Sequence, residues 1–310
     1  MKKTIKVLAT PQYFSSKFFN KNKIPKIFKF LIFKGPINDQ KKLKKLMSDV
    51  DAFIIGSEKI DKNIINKNKK LKIIVRFGTS LNNIDIKACF QNQILVKKLN
   101  KNINSKAVAR HTLAMLMCTT NNLNKAQNEK KDYKWERNYN LYPENCTIGV
   151  VGMGNVGKIF SKYASNLGFK INYYSRKKKN VSKKFNYFSK IENLIKKSDL
   201  ISIHLALNKK TRNIFNKKKL RLLKNKHLIN TSRGELVEEQ CLFELLKKKY
   251  ILSAALDVFK NEPPKNYSLK LKRLDNVIST SHNAAYDEFT MNKMFHHSLI
   301  YIKKYFKLNK

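Results

Sequence analysis

The segment that most constrains the fold is CTIGVVGMGNVGKIFSKYASNLGFKINYYSR, residues 146–176. An apolar run at 147–151 predicts a buried strand, and the helical pattern that follows ends near Gly168. A second apolar run at 171–174 predicts the next strand. A strand, a helix and a strand in this order are typical of a βαβ unit in a parallel sheet.

Three glycines follow the first predicted strand with G-x-G-x-x-G spacing: Gly152, Gly154 and Gly157. Gly152 permits a tight turn, Gly154 lets a pyrophosphate approach the backbone, and Gly157 lets the helix pack on the strand. The helix N-terminus supplies N–H groups and a positive dipole to phosphates. The spacing alone is weak evidence, but its place between a strand and a helix predicts a dinucleotide site. A glycine-rich turn without a ligand is the alternative.

The end of the second strand bears on which dinucleotide binds. An acidic residue about 20 residues beyond the glycines normally holds the adenosine ribose. Ser175 stands there instead, followed by Arg176 and Lys177. A guanidinium without a carboxylate favours a 2′-phosphate, so we expect NADP(H) to serve at least as well as NAD(H). The alternative is that Arg176 is one more surface cation.

The rest of the chain alternates strands and helices, which predicts an α/β fold with parallel sheets covered on both faces. At 310 residues, two domains are expected. Strands are predicted at 5–9, 50–55, 71–75 and 93–96. Helices are predicted at 39–47, 61–66, 84–91, 105–121 and 287–306.

The charge is extreme: 66 Lys and Arg against 21 acids give a net charge of +45. The cations are spread along the chain, mostly as lysine beside asparagine or isoleucine, as an AT-rich genome would produce. No Arg-rich arm, zinc-finger spacing or RNP-type motif accompanies them, so no specific nucleic-acid partner is expected. Non-specific polyanion binding through this charge stays open.

The cellular compartment of the protein and the lack of a metal site are predicted from features that the sequence does not contain. No apolar run approaches the length of a membrane span. Lys6 interrupts the first apolar stretch and Pro11 ends it, so no signal peptide is predicted. The four cysteines lack any ligand-like spacing. We therefore expect a cytoplasmic protein with free thiols and no metal.

Three further segments carry candidate catalytic residues. Arg233 lies in NTSRGELV, Glu262 in LDVFKNEPP and His282 in TSHNAA, each just after a predicted strand. Ligands of open α/β sheets bind at the carboxyl edge, where these residues would lie.

These segments resemble the D-isomer-specific 2-hydroxyacid dehydrogenase family, which includes phosphoglycerate dehydrogenase and the glyoxylate and hydroxypyruvate reductases. The resemblance extends to RFGTSLNNID (76–85), similar to the substrate loop, and AVARHTLAML (107–116), similar to the interdomain helix. VVGMGNVG and SDLISIHLALNKKTRNIFN also follow the family's order. Ser80, Asn82, Arg110, Ala206, Ser281, Ala285 and Tyr286 depart from the usual residues, which leaves the substrate less defined than the reaction.

The resemblance implies two Rossmann-like, doubly wound domains, with a cofactor domain (104–284) inserted into a flavodoxin-like substrate domain (1–103 plus 285–310). It also implies a homodimer that uses the 105–121 helix. NAD(H) or NADP(H) would be the cofactor, and a small 2-oxo or 2-hydroxy acid the substrate.

The resemblance also implies residue roles. His282 would be the acid/base, Glu262 would hydrogen-bond it and raise its pKa, and Arg233 would hold the substrate carboxylate and carbonyl. Amides near Thr79 and Ser80 would grip the carboxylate, and Asp257 would face the nicotinamide carboxamide. The cofactor would also be lined by Thr79, Asn155, Val156, Leu205, Thr231, Ser232, Arg233, His282, Asn283, Ala284 and Ala285.

The chemistry requires these residue types in its own right. Reduction of a 2-oxo acid builds negative charge on the carbonyl oxygen, and imidazole is a suitable proton donor near neutral pH. An adjacent carboxylate orients the imidazolium, and arginine offers a planar fork that matches a carboxylate.

Two activities of one class stay open, phosphoglycerate dehydrogenase-like and glyoxylate or hydroxypyruvate reductase-like. The alternative from another class is a protein that senses NAD(P), like the related transcriptional corepressors, which can keep the same catalytic residues.

Overall fold

The computed structural model describes residues 4–308 except 101, 124, 128–136 and 138. Its strands are β1 (Ile5–Ala9), β2 (Phe28–Ile32), β3 (Ala52–Ile55), β4 (Ile73–Arg76), β5 (Leu95–Lys98), β6 (Thr147–Val151), β7 (Lys170–Tyr174), β8 (Asn186–Phe188), β9 (Leu200–Ile203), β10 (His227–Asn230), β11 (Ser253–Leu256) and β12 (Val277–Ser279). Its α-helices are α1 (Gln40–Met47), α2 (Lys62–Ile65), α3 (Ile86–Gln91), α4 (Ser105–Thr120), α5 (Asn155–Asn166), α6 (Ile191–Lys196), α7 (Lys217–Arg221), α8 (Glu239–Lys247), α9 (Asn266–Lys272) and α10 (Glu288–Tyr305).

The chain divides into two units. The first comprises Met1–Ile103 and Tyr286–Lys310, and the second comprises Asn104–Ala285. The second unit therefore interrupts the first in chain order, and Ala285 lies in the second unit rather than the first.

The first unit is built on a five-stranded parallel sheet with the order β2-β1-β3-β4-β5. This is the flavodoxin-type order, whose reversal point lies beside β1. The central strand β3 is buried along its whole length, as expected for a sheet covered on both faces. Asp39, Asp61 and Asp85 begin helices α1, α2 and α3, and their carboxylates accept hydrogen bonds from amides in the first turns.

Strand β2 was not expected from the sequence. Its residues FKFLI alternate poorly, and only Phe28 is fully buried, because β2 is an edge strand. An edge strand contacts one neighbour and can expose part of both faces, so its periodicity is weaker than that of β3.

The second unit is a seven-stranded parallel sheet with the order β12-β11-β10-β9-β6-β7-β8. The order reverses between β6 and β9, as in doubly wound dinucleotide-binding domains. The prediction of two Rossmann-like sheets is confirmed. Crossover helices cover the sheet, and α4 packs against α5 and the strands β10, β11 and β12.

Three further observations concern the described part of the chain. No helix there has both the length and the apolar character needed to cross a bilayer. All four cysteines are free thiols, and burial raises the pKa of Cys89 to about 11 and of Cys146 to about 12. No group of three or more His, Cys, Asp or Glu side chains in those residues is arranged to hold a metal ion.

Candidate active site

The turn after β6 has the geometry that a pyrophosphate requires. Gly152 adopts a φ of +109°, a left-handed conformation that other residues rarely adopt. A Cβ on Gly157 would lie 2.1 Å from the Gly152 carbonyl oxygen, so only glycine lets α5 pack this closely on the turn. A Cβ on Gly154 would meet no atom within 4 Å, so that glycine faces open space.

The open space at Gly154 lies at the N-terminus of α5. Gly154 is the N-cap, and Asn155 and Val156 begin the helix, with Asn155 exposed and Val156 half-buried. The N-terminus of a helix presents backbone N–H groups, and the dipole adds positive charge there. This site is also beside the point where strand order reverses. The turn therefore fits a dinucleotide.

At the end of β7, the two candidate residues for the adenosine ribose differ in their surroundings. Ser175 is buried, and its hydroxyl donates to the carbonyl oxygen of Lys177 at 2.6 Å. The Tyr187 hydroxyl donates to the Ser175 carbonyl oxygen at 3.2 Å, which anchors this turn on β8. Arg176 is exposed. Ser175 thus shapes the turn, and Arg176 is the residue of this pair that solvent and ligand can reach.

His204 lies against the same glycine turn and was missed by the sequence analysis. A Cβ on Gly152 would lie 2.6 Å from the His204 carbonyl oxygen. The imidazole Nε2 lies 2.9 Å from the Ser202 hydroxyl, the ring lies 5.0 Å from that of Phe160, and Nδ1 is shielded without a hydrogen-bond partner among the described residues. Burial lowers the pKa of His204 to about 3. The His204 backbone therefore packs against the turn, next to the predicted cofactor residue Leu205, while its neutral imidazole is buried beside Ser202 and Phe160.

The three candidate catalytic residues follow three neighbouring strands. Arg233 comes shortly after β10, Glu262 lies in the loop after β11, and His282 comes shortly after β12. Since the strands are parallel, all three loops leave the same edge of the sheet, and adjacent strands are about 4.8 Å apart. Arg233 is half-buried, and its Nη1 donates to the Ser232 carbonyl oxygen at 2.6 Å.

Gly234 joins the first two of these loops, and its role was not anticipated. A Cβ there would lie 2.0 Å from the Phe259 carbonyl carbon and 2.2 Å from the Lys260 nitrogen. The backbone that carries Arg233 therefore packs directly against the backbone that leads to Glu262. A small residue following an arginine in a turn was the available signal for such a close approach.

Glu262 and His282 are in direct contact. His282 Nδ1 donates to Glu262 Oε2 at 2.7 Å, while Glu262 Oε1 accepts from the Phe259 amide at 3.1 Å. Both carboxylate oxygens are thereby occupied, which fixes the carboxylate and orients the imidazole. About half of the His282 side chain is exposed (45%), and Nε2 is the ring nitrogen that this contact leaves available to a substrate. His282 also has a φ of +55°, an uncommon conformation for a non-glycine residue.

The strained backbone of His282 is held by Asp257. The Asp257 carbonyl oxygen accepts from the His282 amide at 2.8 Å. Its carboxylate, which is fully buried, accepts from the Thr280 hydroxyl at 2.5 Å and from the amides of Asn283 and Ala284 at 2.7 and 3.1 Å. Burial by itself raises the pKa of Asp257, but hydrogen bonds from His111, Thr280, Asn283 and Ala284 bring it below the ordinary value. The carboxylate organises the His282 loop, and its contact with a nicotinamide carboxamide stays a prediction.

The remaining predicted residues fall into two groups. Thr231 is buried and its hydroxyl contacts Thr112, whereas Ser232 donates to the Ile203 carbonyl oxygen at 2.7 Å. Ala285 is half-buried at the end of the His282 loop. Thr79 and Ser80 belong to the first unit, in the half-buried loop after β4. The structure thus brings Arg233, Glu262 and His282 to one edge, and the cofactor contacts of Thr231, Ser232 and Ala285 stay predictions.

Comparison with known proteins agrees with this geometry. Residues 113–284 match the family model described as the NAD binding domain of D-isomer specific 2-hydroxyacid dehydrogenases. D-3-phosphoglycerate dehydrogenase of Methanocaldococcus jannaschii is 34% identical over 80% of this chain, and the match spans about half (48%) of that relative. Glyoxylate reductase of Thermococcus litoralis is 32% identical over 77% of this chain and 76% of its own length.

A solved structure resembles the whole chain. An acyclic imino acid reductase in complex with NADPH and D-Arg has a TM-score of 0.79 and 28% identity, covering 97% of this chain and 98% of its own. The likeness therefore extends over both units and is not confined to the segment that matches the family model.

Proposed function

Because the chain belongs to the D-isomer specific 2-hydroxyacid dehydrogenase family, we propose that it moves hydride between a nicotinamide dinucleotide and C2 of a small 2-oxo or D-2-hydroxy acid. The single observation that carries this proposal is the contact between His282 Nδ1 and Glu262 Oε2 at 2.7 Å, at the sheet edge that also carries Arg233. Such an arrangement supplies a proton carrier and a carboxylate receptor at one edge of the sheet.

Each of the three side chains has a defined task in this proposal. His282 Nε2 gives a proton to the carbonyl oxygen during reduction and takes it back during oxidation. Glu262 holds the ring by Nδ1 and balances the imidazolium charge. Arg233 binds the substrate carboxylate through its planar fork, which a lysine could not reproduce.

The cofactor would be held by the second unit. The amides of Asn155 and Val156, with the open backbone at Gly154, would receive the pyrophosphate. Arg176 would face the adenosine ribose, and its exposed guanidinium would tolerate or prefer a 2′-phosphate. When bound, the nicotinamide supplies or accepts the hydride, and the protein supplies position and charge. The similar reductase that was solved with NADPH supports NADP(H) as a cofactor here.

The identity of the substrate is a finer proposal. Glyoxylate, hydroxypyruvate and phosphohydroxypyruvate all fit the names of the similar proteins, and we propose a compound of this 2-oxo acid class. The amides near Thr79 and Ser80, in the first unit, stay candidates for binding the substrate carboxylate. A homodimer and a cytoplasmic location are proposed on the family resemblance and on the four free thiols.

A screen of NADH and NADPH oxidation tests the reaction. Purified protein is assayed with glyoxylate, hydroxypyruvate, pyruvate and phosphohydroxypyruvate, and turnover with at least one of them is expected. General acid–base catalysis contributes about 10²–10⁴-fold, so His282→Ala should lower kcat by at least about a hundredfold while dinucleotide affinity is kept.

Two outcomes would overturn the proposal. Stoichiometric dinucleotide binding without turnover on the whole panel would favour a sensor over an enzyme. Near-normal turnover by His282→Ala would remove the proton-transfer role from that residue.

A further inference from the structure

Two adjacent residues of α4 contact two different catalytic loops. His111 contacts the loop that carries His282, and Thr112 contacts the loop that carries Arg233. We propose that His111 and Thr112 are positioning residues that fix the distance between the proton carrier and the carboxylate receptor. The inference rests on the proposed function for its catalytic consequence, but the contacts can be tested without turnover.

The first contact is a chain of two hydrogen bonds, in which His111 donates to Thr280 and Thr280 donates to Asp257. Asp257 Oδ1 accepts from the Asn283 amide and Oδ2 from the Ala284 amide, so both carboxylate oxygens are acceptors and the Thr280 hydroxyl donates to Oδ1 across their 2.5 Å separation. With its single hydrogen used, Thr280 Oγ1 can only accept from His111 Nε2–H at 3.1 Å. His111 Nε2 also lies 3.5 Å from Asp257 Oδ1. The helix therefore stabilises the carboxylate that accepts from the Asn283 and Ala284 amides, directly after His282.

In the second contact, the loop donates the hydrogen bond and the helix α4 accepts it. The Thr112 hydroxyl donates to the Val108 carbonyl oxygen at 2.7 Å within α4. Its lone pair must then accept from the Thr231 hydroxyl, 2.8 Å away. Both hydroxyls are buried, where an unmade hydrogen bond is costly. Thr231 lies two residues before Arg233, so this bond fixes the start of the Arg233 loop.

The sheet alone does not fix the distance between the Arg233 and His282 loops, whereas the helix α4 contacts both of them. Strands β10 and β12 are separated by β11, so the Arg233 and His282 loops are about 10 Å apart at their origins. One rigid helix that contacts both loops sets their relative position. Catalytic groups need placement within about 0.5 Å, so small losses here should appear as losses of rate.

The two contacts predict different kinetic defects. His111→Leu removes the hydrogen bond to Thr280, and we expect kcat to fall about tenfold with KM changed less than about twofold, because His282 acts in the transition state. Thr112→Val keeps the shape of the side chain and removes the acceptor. KM for the 2-oxo acid should rise about tenfold, because Arg233 binds the carboxylate in substrate and transition state alike.

Amide hydrogen exchange in the protein without dinucleotide provides a readout besides activity. The Asn283 and Ala284 amides donate to Asp257, so we expect His111→Leu to speed their exchange at least about tenfold. Thr112→Val should leave these two amides unchanged.

Conservative and matched variants separate positioning from folding. His111→Gln and Thr112→Ser keep a donor and an acceptor and should recover most of the wild-type kinetics. Thr119→Val is the control, because Thr119 is equally buried on α4 but donates only to the Met115 carbonyl oxygen. It should change neither the kinetics nor the two amides.

The proposal is overturned if His111→Leu leaves the exchange of Asn283 and Ala284 at the wild-type rate. It is also overturned if His111→Leu and Thr112→Val change kcat and KM in the same way, or if Thr119→Val reproduces their effects. Absence of turnover in the wild-type protein would refute the proposed function instead, and the exchange experiment would still decide whether α4 holds the His282 loop.

Discussion

Adding one methyl group to the glycine turn should have different consequences at Gly154 and at Gly157, three residues apart. At Gly157, the new Cβ would lie 2.1 Å from the backbone oxygen of Gly152, which has no freedom to move aside. At Gly154, the new Cβ would meet no protein atom within 4 Å. Gly157→Ala should therefore weaken the fold, and Gly154→Ala should weaken only the binding of a ligand.

The magnitudes follow from these distances. Overpacking typically costs about 1–3 kcal/mol, and about 2–4 °C of Tm is lost per kcal/mol in a unit of this size. Gly157→Ala should thus lower Tm by about 2–12 °C. Gly154 has φ −81° and ψ −163°, which alanine can adopt, so the loss of a good N-cap residue is offset by the reduced freedom of the unfolded chain.

The effect of Gly154→Ala should appear when dinucleotide binds. The methyl group would stand where the pyrophosphate approaches the amides of Asn155 and Val156. We expect the Kd for NADPH to rise at least about tenfold, equivalent to about 1.4 kcal/mol.

Thermal unfolding without ligand and calorimetric titration with NADPH measure the two effects separately. Wild-type affinity in Gly154→Ala would refute the placement of the pyrophosphate at this turn. An unchanged Tm in Gly157→Ala would show that the close approach of α5 to the turn is wrong.

Three other perturbations have defined outcomes. The folded-state pKa of His204 is about 3, below its ordinary 6.5, so His204 takes up a proton more readily in the unfolded chain. The contribution of neutral His204 to the free energy of unfolding is therefore complete above pH 6.5 and is lost as the pH drops towards 3. Lowering the pH from 7.5 to 5.5 should therefore reduce the free energy of unfolding of the wild type by about 1.4 kcal/mol more than that of His204→Gln. Equal losses in urea unfolding would contradict this. Arg176→Ser should raise KM for NADPH about tenfold and leave KM for NADH nearly unchanged, and a strong NADH preference in the wild type would defeat the premise. Gly234→Ala should lower both Tm and turnover, because its Cβ would lie 2.0 Å from the Phe259 backbone, and wild-type behaviour would exclude that packing.

Much of the second unit could be predicted because its information is local. The strand at 147–151 and the glycines after it are specified by burial and backbone conformation over a short stretch. The candidate catalytic residues could be placed because each follows an apolar strand, and parallel strands end at a common edge. The helix starts at Asp39 and Asp61 were visible for the same reason, since an N-cap depends on the next three residues.

Other features depended on residues far apart in the chain. The edge strand β2 was missed because an exposed edge imposes only weak alternation on its side chains. The four donors that surround the Asp257 carboxylate come from His111 and the loop after β12, which lie far from Asp257 in the chain, while its contact with the cofactor stays a prediction. Nothing in the local sequence around His204 shows that it lies against the Gly152 turn.

The sequence by itself determined that the chain forms α/β units with a dinucleotide turn and an Arg, Glu and His set at strand ends. These properties depend on periodicity, glycine spacing and residue chemistry, which act over a few residues. Only the tertiary structure decided which polar groups satisfy one another, such as Thr112 with Thr231 and His111 with Thr280. Burial makes unsatisfied polar groups costly, so their pairing is settled by the whole packed fold and not by any one segment.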